Sequence, residues 1–279
     1  MKTKLLVSLG MILATGAVFV GCGSAQDQGA SNTIKVVGST TVAAPMEKLD
    51  EAYALVNPDV TIEVQGVGSS AGVKAAGDGT ANIGMASREI KESEKNLGLT
   101  ETVIAKDAIA VVTHPSNSVK DLTMEQVKDI FEGTITNWNE IGGADADIIV
   151  VCREDGSGTR SAFEEIVGLE KDFNGKTVSS VVQTAVIQEG NGAVKATVAS
   201  QENGIGFVSL GYIDDTVAPL SIGGVEATVE NTLSGNYKIS RPLLILTKAE
   251  QSSEVTEFID FILSDAGQEI VSESYIPVN

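Results

Sequence analysis

Short β-branched apolar runs alternate with amphipathic stretches along most of this chain, and that rhythm restricts the fold more than any other feature. Ile34–Val37 is followed by a helical pattern over Pro45–Val56, Thr61–Gln65 by one over Gly72–Ala76, and Asn82–Ala86 by the charged segment Lys91–Asn96. The spacing predicts βαβ units. The strands read as continuous apolar runs, which places helices on both faces of the sheet and predicts a largely parallel α/β fold. After Asp107–His114 the rhythm resumes with a helix at Thr123–Phe131, a strand at Ile148–Arg153, a helix at Thr159–Val167 and a strand at Ile205–Val208. A long apolar strand, Ile239–Thr247, then leads into helical patterns at Glu254–Leu263 and Gly267–Ser274.

Single cores stop growing beyond about 250–300 residues, so a chain of 279 residues suits two lobes. With 42% apolar residues, 20% charged residues and only 6 prolines, it is neither disordered nor collagen-like nor a disulfide scaffold. The balance of 19 basic against 38 acidic side chains gives a net charge of −19, which argues against a nucleic-acid partner. An anionic ligand would have to be held by local groups.

Residues 1–21 read as a signal peptide: Lys2 and Lys4 precede a mostly apolar run from Leu5 to Val20, too short to be a dependable membrane span. Gly21-Cys22 resembles the processing site of bacterial lipoproteins, with Phe19 where Leu is usual, so Cys22 is expected to carry lipid and anchor the protein outside the cytoplasm. Ordinary secretion with Cys22 free is the alternative. Residues 22–33 form the lipidated Cys and a small, polar tether, and the domain is expected to begin near Ile34. Cys152 sits in an apolar run and reads as a small buried hydrophobe.

Catalytic chemistry finds little support. His114 is the one histidine and would have to serve any acid–base step at neutral pH. Gly68-Ser69-Ser70-Ala71-Gly72 matches a nucleophile-elbow pattern with Ser70 as the nucleophile, which keeps a cell-surface serine hydrolase as an alternative. Gly66 to Gly72 misses the dinucleotide fingerprint by one residue, and the loop from Asp155 fails the calcium pattern at Arg160 and Ile166. No zinc spacing and no P-loop sequence occurs, so neither metal nor cofactor is expected.

Three Gly/Ser/Thr loops are more informative, each following an expected strand and preceding an expected helix: Gly38-Ser39-Thr40-Thr41, Gly66 to Gly72, and Asp155 to Arg160. Helix N-termini present unpaired N–H groups and a partial positive charge, to which hydroxyls add donors, so together with Arg153 and Arg160 these loops suit a phosphate-like oxyanion. In open α/β sheets they also lie at the carboxyl ends of strands, where ligands bind.

Those loops, with Ile83-Gly84-Met85-Ala86-Ser87-Arg88, Arg153-Glu154-Asp155-Gly156-Ser157-Gly158-Thr159 and Ile205 to Tyr212, give the chain a resemblance to the PstS-type phosphate-binding proteins of bacterial phosphate ABC transporters. The resemblance implies a two-lobed periplasmic-binding-protein-like fold of type II, with a ligand cleft between lobes joined by a two-strand hinge. Lobe I is expected over residues 34–112 plus 242–279, and lobe II over 113–241. It implies ligand contacts from Thr40, Thr41, Ser69, Ser87, Arg153, Ser157, Gly158 and Thr159, with Ser39 and Ser70 in support and Asp155 steadying Arg153. Arg88 stands where one branch of the family carries an acceptor Asp, and is expected to contact the anion directly or through water. The implied function is capture of inorganic phosphate without chemistry, and its delivery to ABC permease subunits by a monomer. Sulfate or molybdate is the alternative cargo.

Overall fold

The computed structural model describes residues 32–279. The signal peptide, Cys22 and the tether up to residue 31 lie outside the described residues. Among those described, no helix is long and apolar enough to cross a membrane.

The first strands and helices follow the sequence rhythm: β1 (Thr33–Gly38), α1 (Thr40–Val56), β2 (Thr61–Gly66), α2 (Ser69–Asp78) and β3 (Ile83–Ala86). β1 lies between β2 and β3 and pairs with both in parallel. Apolar residues on both faces of these strands are buried, as the continuous runs require: Met85 belongs to one core cluster and its neighbour Ala86 to another, on the α2 side of the sheet. α1 begins five residues before the expected Pro45. A proline inside a helix leaves the carbonyl four residues earlier without its amide; here that carbonyl, of Thr41, accepts the Tyr275 hydroxyl at 3.1 Å.

β4 (Thr100–Thr113) is the longest strand, and it leads into α3 (Met124–Glu132), β5 (Ile149–Arg153), α4 (Gly158–Val167), β6 (Val186–Gln188), α5 (Gly190–Ser200) and β7 (Gly204–Ser209). The chain ends with β8 (Ser240–Thr247), α6 (Ser253–Leu263), α7 (Asp265–Ser272) and a two-residue strand, Ile276–Pro277. β5 pairs in parallel with β6 and β7. The expectation of a largely parallel sheet needs correction, because β8 runs antiparallel between β3 and β4, and β4 runs antiparallel to β7. A chain that leaves one lobe along a strand and returns beside it must reverse direction.

The cores show two lobes. Residues from Ile34 to Ala105 and from Leu243 to Tyr275 pack into one, under α1, α6 and α7. Residues from Ala108 to Ile239 pack into the other, around the stacked rings of Phe163 and Phe207, 4.1 Å apart, and the edge of Phe131. The chain therefore passes between cores twice, at Ala105–Ala108 on β4 and at Ile239–Leu243 at the start of β8. Sequence reading missed the hairpin of Glu170–Phe173 with Lys176–Ser179, and also β6 and α5.

Candidate functional site

The three Gly/Ser/Thr loops open α1, α2 and α4, at the ends of β1, β2 and β5. Ser39 caps α1, its hydroxyl accepting the amides of Thr41 and Val42. Ser157 caps α4 by accepting the Arg160 amide. Gly38 has φ +145°, and a Cβ there would stand 2.2 Å from the Met85 carbonyl oxygen, so only glycine lets β1 run this close to β3 before the turn into α1.

The loops bring hydroxyls together from both lobes. Ser39 Oγ donates to Ser87 Oγ at 2.8 Å, and Ser69 Oγ accepts the Ser87 amide at 3.0 Å. From the second lobe, Thr159 Oγ1 lies 3.3 Å from Thr41 Oγ1, and the Gly156 carbonyl accepts the Ser70 amide at 3.2 Å. Gly158 comes so close that a Cβ on it would fall 2.1 Å from Ser69 Oγ and 2.7 Å from Ser87 Oγ. Ser39, Thr41, Ser69, Ser87, Ser157 and Thr159 are all buried.

Arg153, at the end of β5, is 1% exposed. Its Nε and Nη2 form a fork onto both oxygens of Glu154, at 2.8 and 2.7 Å, leaving Nη1 to reach Thr159 Oγ1 at 3.4 Å while Nη2 also reaches Thr40 Oγ1 at 3.3 Å. The fork onto Glu154 fixes the guanidinium plane and keeps its terminal nitrogens beside the hydroxyls of Thr159 and Thr40. Burial pushes the Glu154 carboxyl upward, but the bonds and charge of Arg153 and the Gly190 amide outweigh it and leave it lowered.

One sequence expectation is corrected. Asp155 does not steady Arg153: its side chain points to solvent and pairs with Arg160 at 2.8 Å, because the chain turns at Gly156, which has φ +87°. Glu154 holds Arg153 instead, and Arg160 braces the loop by donating to the Arg153 carbonyl at 3.0 Å. Arg88 spends its two terminal nitrogens on protein groups, while its buried Nε has no protein partner. Its fork is taken by Glu94, with both bonds at 2.8 Å, and it further donates to the Glu89 carbonyl and to Ser70 Oγ. Burial raises Glu94, and Arg88 with the Lys91 amide more than reverses this. A guanidinium 2% exposed needs a carboxylate partner, and the turn after Arg88 supplies one six residues on.

Four groups around the cage escaped the sequence reading. Arg241 of β8 and Asp107 of β4 form a fully buried pair, with Nη2 and Nε 2.8 and 3.1 Å from Asp107 Oδ2, and Arg241 also donates to the Ser87 carbonyl and to Thr41 Oγ1. Burial drives the Asp107 carboxyl up against the pull of Arg241. Asn191, at the start of α5, donates to Thr41 Oγ1 at 2.9 Å, and the Tyr212 hydroxyl donates to the Thr40 carbonyl. A charge set in the apolar run of β8 and another beside the apolar run of β4 were the available signals for the ion pair; Asn191 had none, since GNGAVKATVAS carries no clear apolar stripe. The hydrolase constellation does not assemble: His114 Nδ1 meets Ser116 Oγ at 2.7 Å in its own turn, while Ser70 is held by Arg88.

The PBP superfamily domain model matches residues 23–266. The phosphate-binding protein PstS of Bacillus subtilis is 30% identical over 295 aligned positions, covering 100% of this chain and 95% of that one. PstS of Borreliella burgdorferi is 29% identical, with 97% of each chain covered. Among solved structures, a protein from Clostridium perfringens described as a phosphate ABC transporter substrate-binding protein with bound phosphate is 48% identical, has a TM-score of 0.83, and aligns with 88% of this chain and 100% of its own. An ABC-type phosphate transport receptor from Vibrio cholerae is 38% identical with a TM-score of 0.72, covering 88% of this chain and 99% of its own. Cage, fold and relatives agree: the chain belongs to the PBP superfamily, in its PstS branch of phosphate-binding proteins.

Proposed function

We propose that this protein captures inorganic phosphate between its lobes and delivers it unchanged to the permease of an ABC importer. The observation that carries the reading is the convergence of hydroxyls from both lobes beside the buried guanidinium of Arg153, which reaches Thr159 Oγ1 and Thr40 Oγ1. Thr40, Ser69 and Ser87 supply donors from lobe I, and Arg153, Ser157, Gly158 and Thr159 supply side-chain or amide donors from lobe II, with Ser39, Thr41 and Ser70 fixing their neighbours. An anion bridging both sets favours the closed state by contacts that the open state cannot make. The net charge of −19 is compatible with this, since the Debye length is about 8 Å at 0.15 M salt and the donors act at contact.

The same reading divides the chain into two lobes, with the return near residue 242 as expected and the first crossing at Ala105–Ala108 instead of 112, since Ala108 to Val112 pack in the second core, and takes the protein as an extracytoplasmic monomer anchored through lipid on Cys22. It assigns no catalysis, because among the described residues the groups that hold Ser70 are Arg88 and the Gly156 carbonyl, and neither is a general base. Calorimetry of ligand-free protein against phosphate, arsenate, sulfate and molybdate tests the reading: reversible 1:1 binding of phosphate with the anion recovered intact is expected. No heat with phosphate, or recovery of a chemically altered ligand, would remove it.

A further inference from the structure

The hydroxyl of Thr41 is fully buried and has one proton and two acceptor lone pairs. Two groups that can only donate at these atoms reach it: Asn191 Nδ2 at 2.9 Å and Arg241 Nη2 at 3.2 Å. Asn191 is oriented for this role, because its Oδ1 accepts the Ser209 amide at 3.2 Å, which fixes which end of the amide faces Thr41. Arg241 is held by Asp107 and the Ser87 carbonyl. With both lone pairs filled, the Thr41 proton has to be donated onward, and Thr159 Oγ1 lies 3.3 Å away. Thr159 Oγ1 also accepts Arg153 Nη1 at 3.4 Å. Its lone pairs are then filled in turn, and its own proton must point away from all of these donors.

We infer that Asn191, Arg241 and Thr41 are positioning residues that form a one-way hydrogen-bond chain from the hinge strand β8 and the start of α5 to Thr159, fixing the Thr159 hydroxyl as a donor to the bound anion. This rests on the phosphate reading above and adds residues that act without touching the ligand. A hydroxyl free to rotate must be ordered when the anion arrives; one fixed beforehand avoids that cost.

The test is a double-mutant cycle on the full mature protein, read as the dissociation constant for inorganic phosphate. Thr159→Val should weaken binding roughly tenfold or more, the scale of a hydrogen bond to a charged group. Thr41→Val, which removes only the relay, should weaken it several-fold, and should cost less than about twofold further when Thr159 is already Val. Thr41→Ser, which keeps the hydroxyl, should bind within about twofold of the wild type. If the losses from Thr41→Val and Thr159→Val simply multiply, or if the Ser variant binds as weakly as the Val variant, the chain does not act through Thr159. Should Thr41→Val show no cooperative melt, Asn191→Ala enters the same cycle with the same criteria. A wild type that takes up no phosphate would instead defeat the functional reading itself.

Discussion

Replacing Gly158 with Ala separates closure from stability. Gly158 is the first residue of α4, with no positive φ, so an alanine fits its backbone and should favour the helix by up to about 1 kcal/mol. In the closed arrangement the new methyl would lie 2.1 Å from Ser69 Oγ, 2.7 Å from Ser87 Oγ and 2.9 Å from Ser69 Cβ. Rotating Ser69 moves its hydroxyl but not its Cβ, and Ser69 is pinned at the start of α2 and by the Ser87 amide. The clash therefore falls on the approach of the lobes, at the roughly 1–3 kcal/mol typical of overpacking. At 1.4 kcal/mol per factor of ten, phosphate affinity should drop about 5- to 150-fold. Calorimetry gives the affinity, and thermal melting of ligand-free protein should show a midpoint unchanged or slightly raised. Binding within threefold of the wild type would show that Gly158 does not set the closed distance.

Arg153→Ala should cost about 2–5 kcal/mol of phosphate binding, and Arg153→Lys should restore only part of it because a point charge replaces the fork; calorimetry checks both. Arg88→Ala leaves Glu94 largely buried without its cation, so denaturant unfolding should show a loss of about 3 kcal/mol. Glu94 and Glu154 both sit below the ordinary glutamate value in the folded state, so the unfolded chain takes up protons first as pH falls. Their contribution is present above the usual glutamate range and lost on acidification through it towards their lowered values; the acid limb of stability against pH should flatten in Arg88→Met. Cys22→Ser should release the protein from the membrane fraction, read by cell fractionation.

The strands and most helices were legible because burial on both sheet faces forces long apolar runs, as in Ile148–Cys152 and Leu243–Ile245. The three donor loops were legible because caps and tight turns use a narrow set of residues. Partner choice among charges was not. Arg153 and Asp155 alternate as though on one side of an extended strand, yet Gly156 bends the chain and gives Arg153 to Glu154. Asp107 and Arg241 are 134 positions apart and meet only because β4 and β8 pair. The start of α1 was hidden by Pro45, whose missing amide is offset by a tyrosine from the far end of the chain.

The place of β8 in the sheet bears on how the protein comes to exist. It lies between β3 and β4, so those strands have no ladder to share until the last forty or so residues of the chain arrive. Lobe II is built from one continuous stretch and can collapse on its own core as it emerges, whereas lobe I waits with an open slot between two strand edges. Assembly of the first half is thus the late, long-range step, the kind that topology makes slow. A chain cut short before Ser240 would carry a finished second lobe beside unpaired strands that invite aggregation.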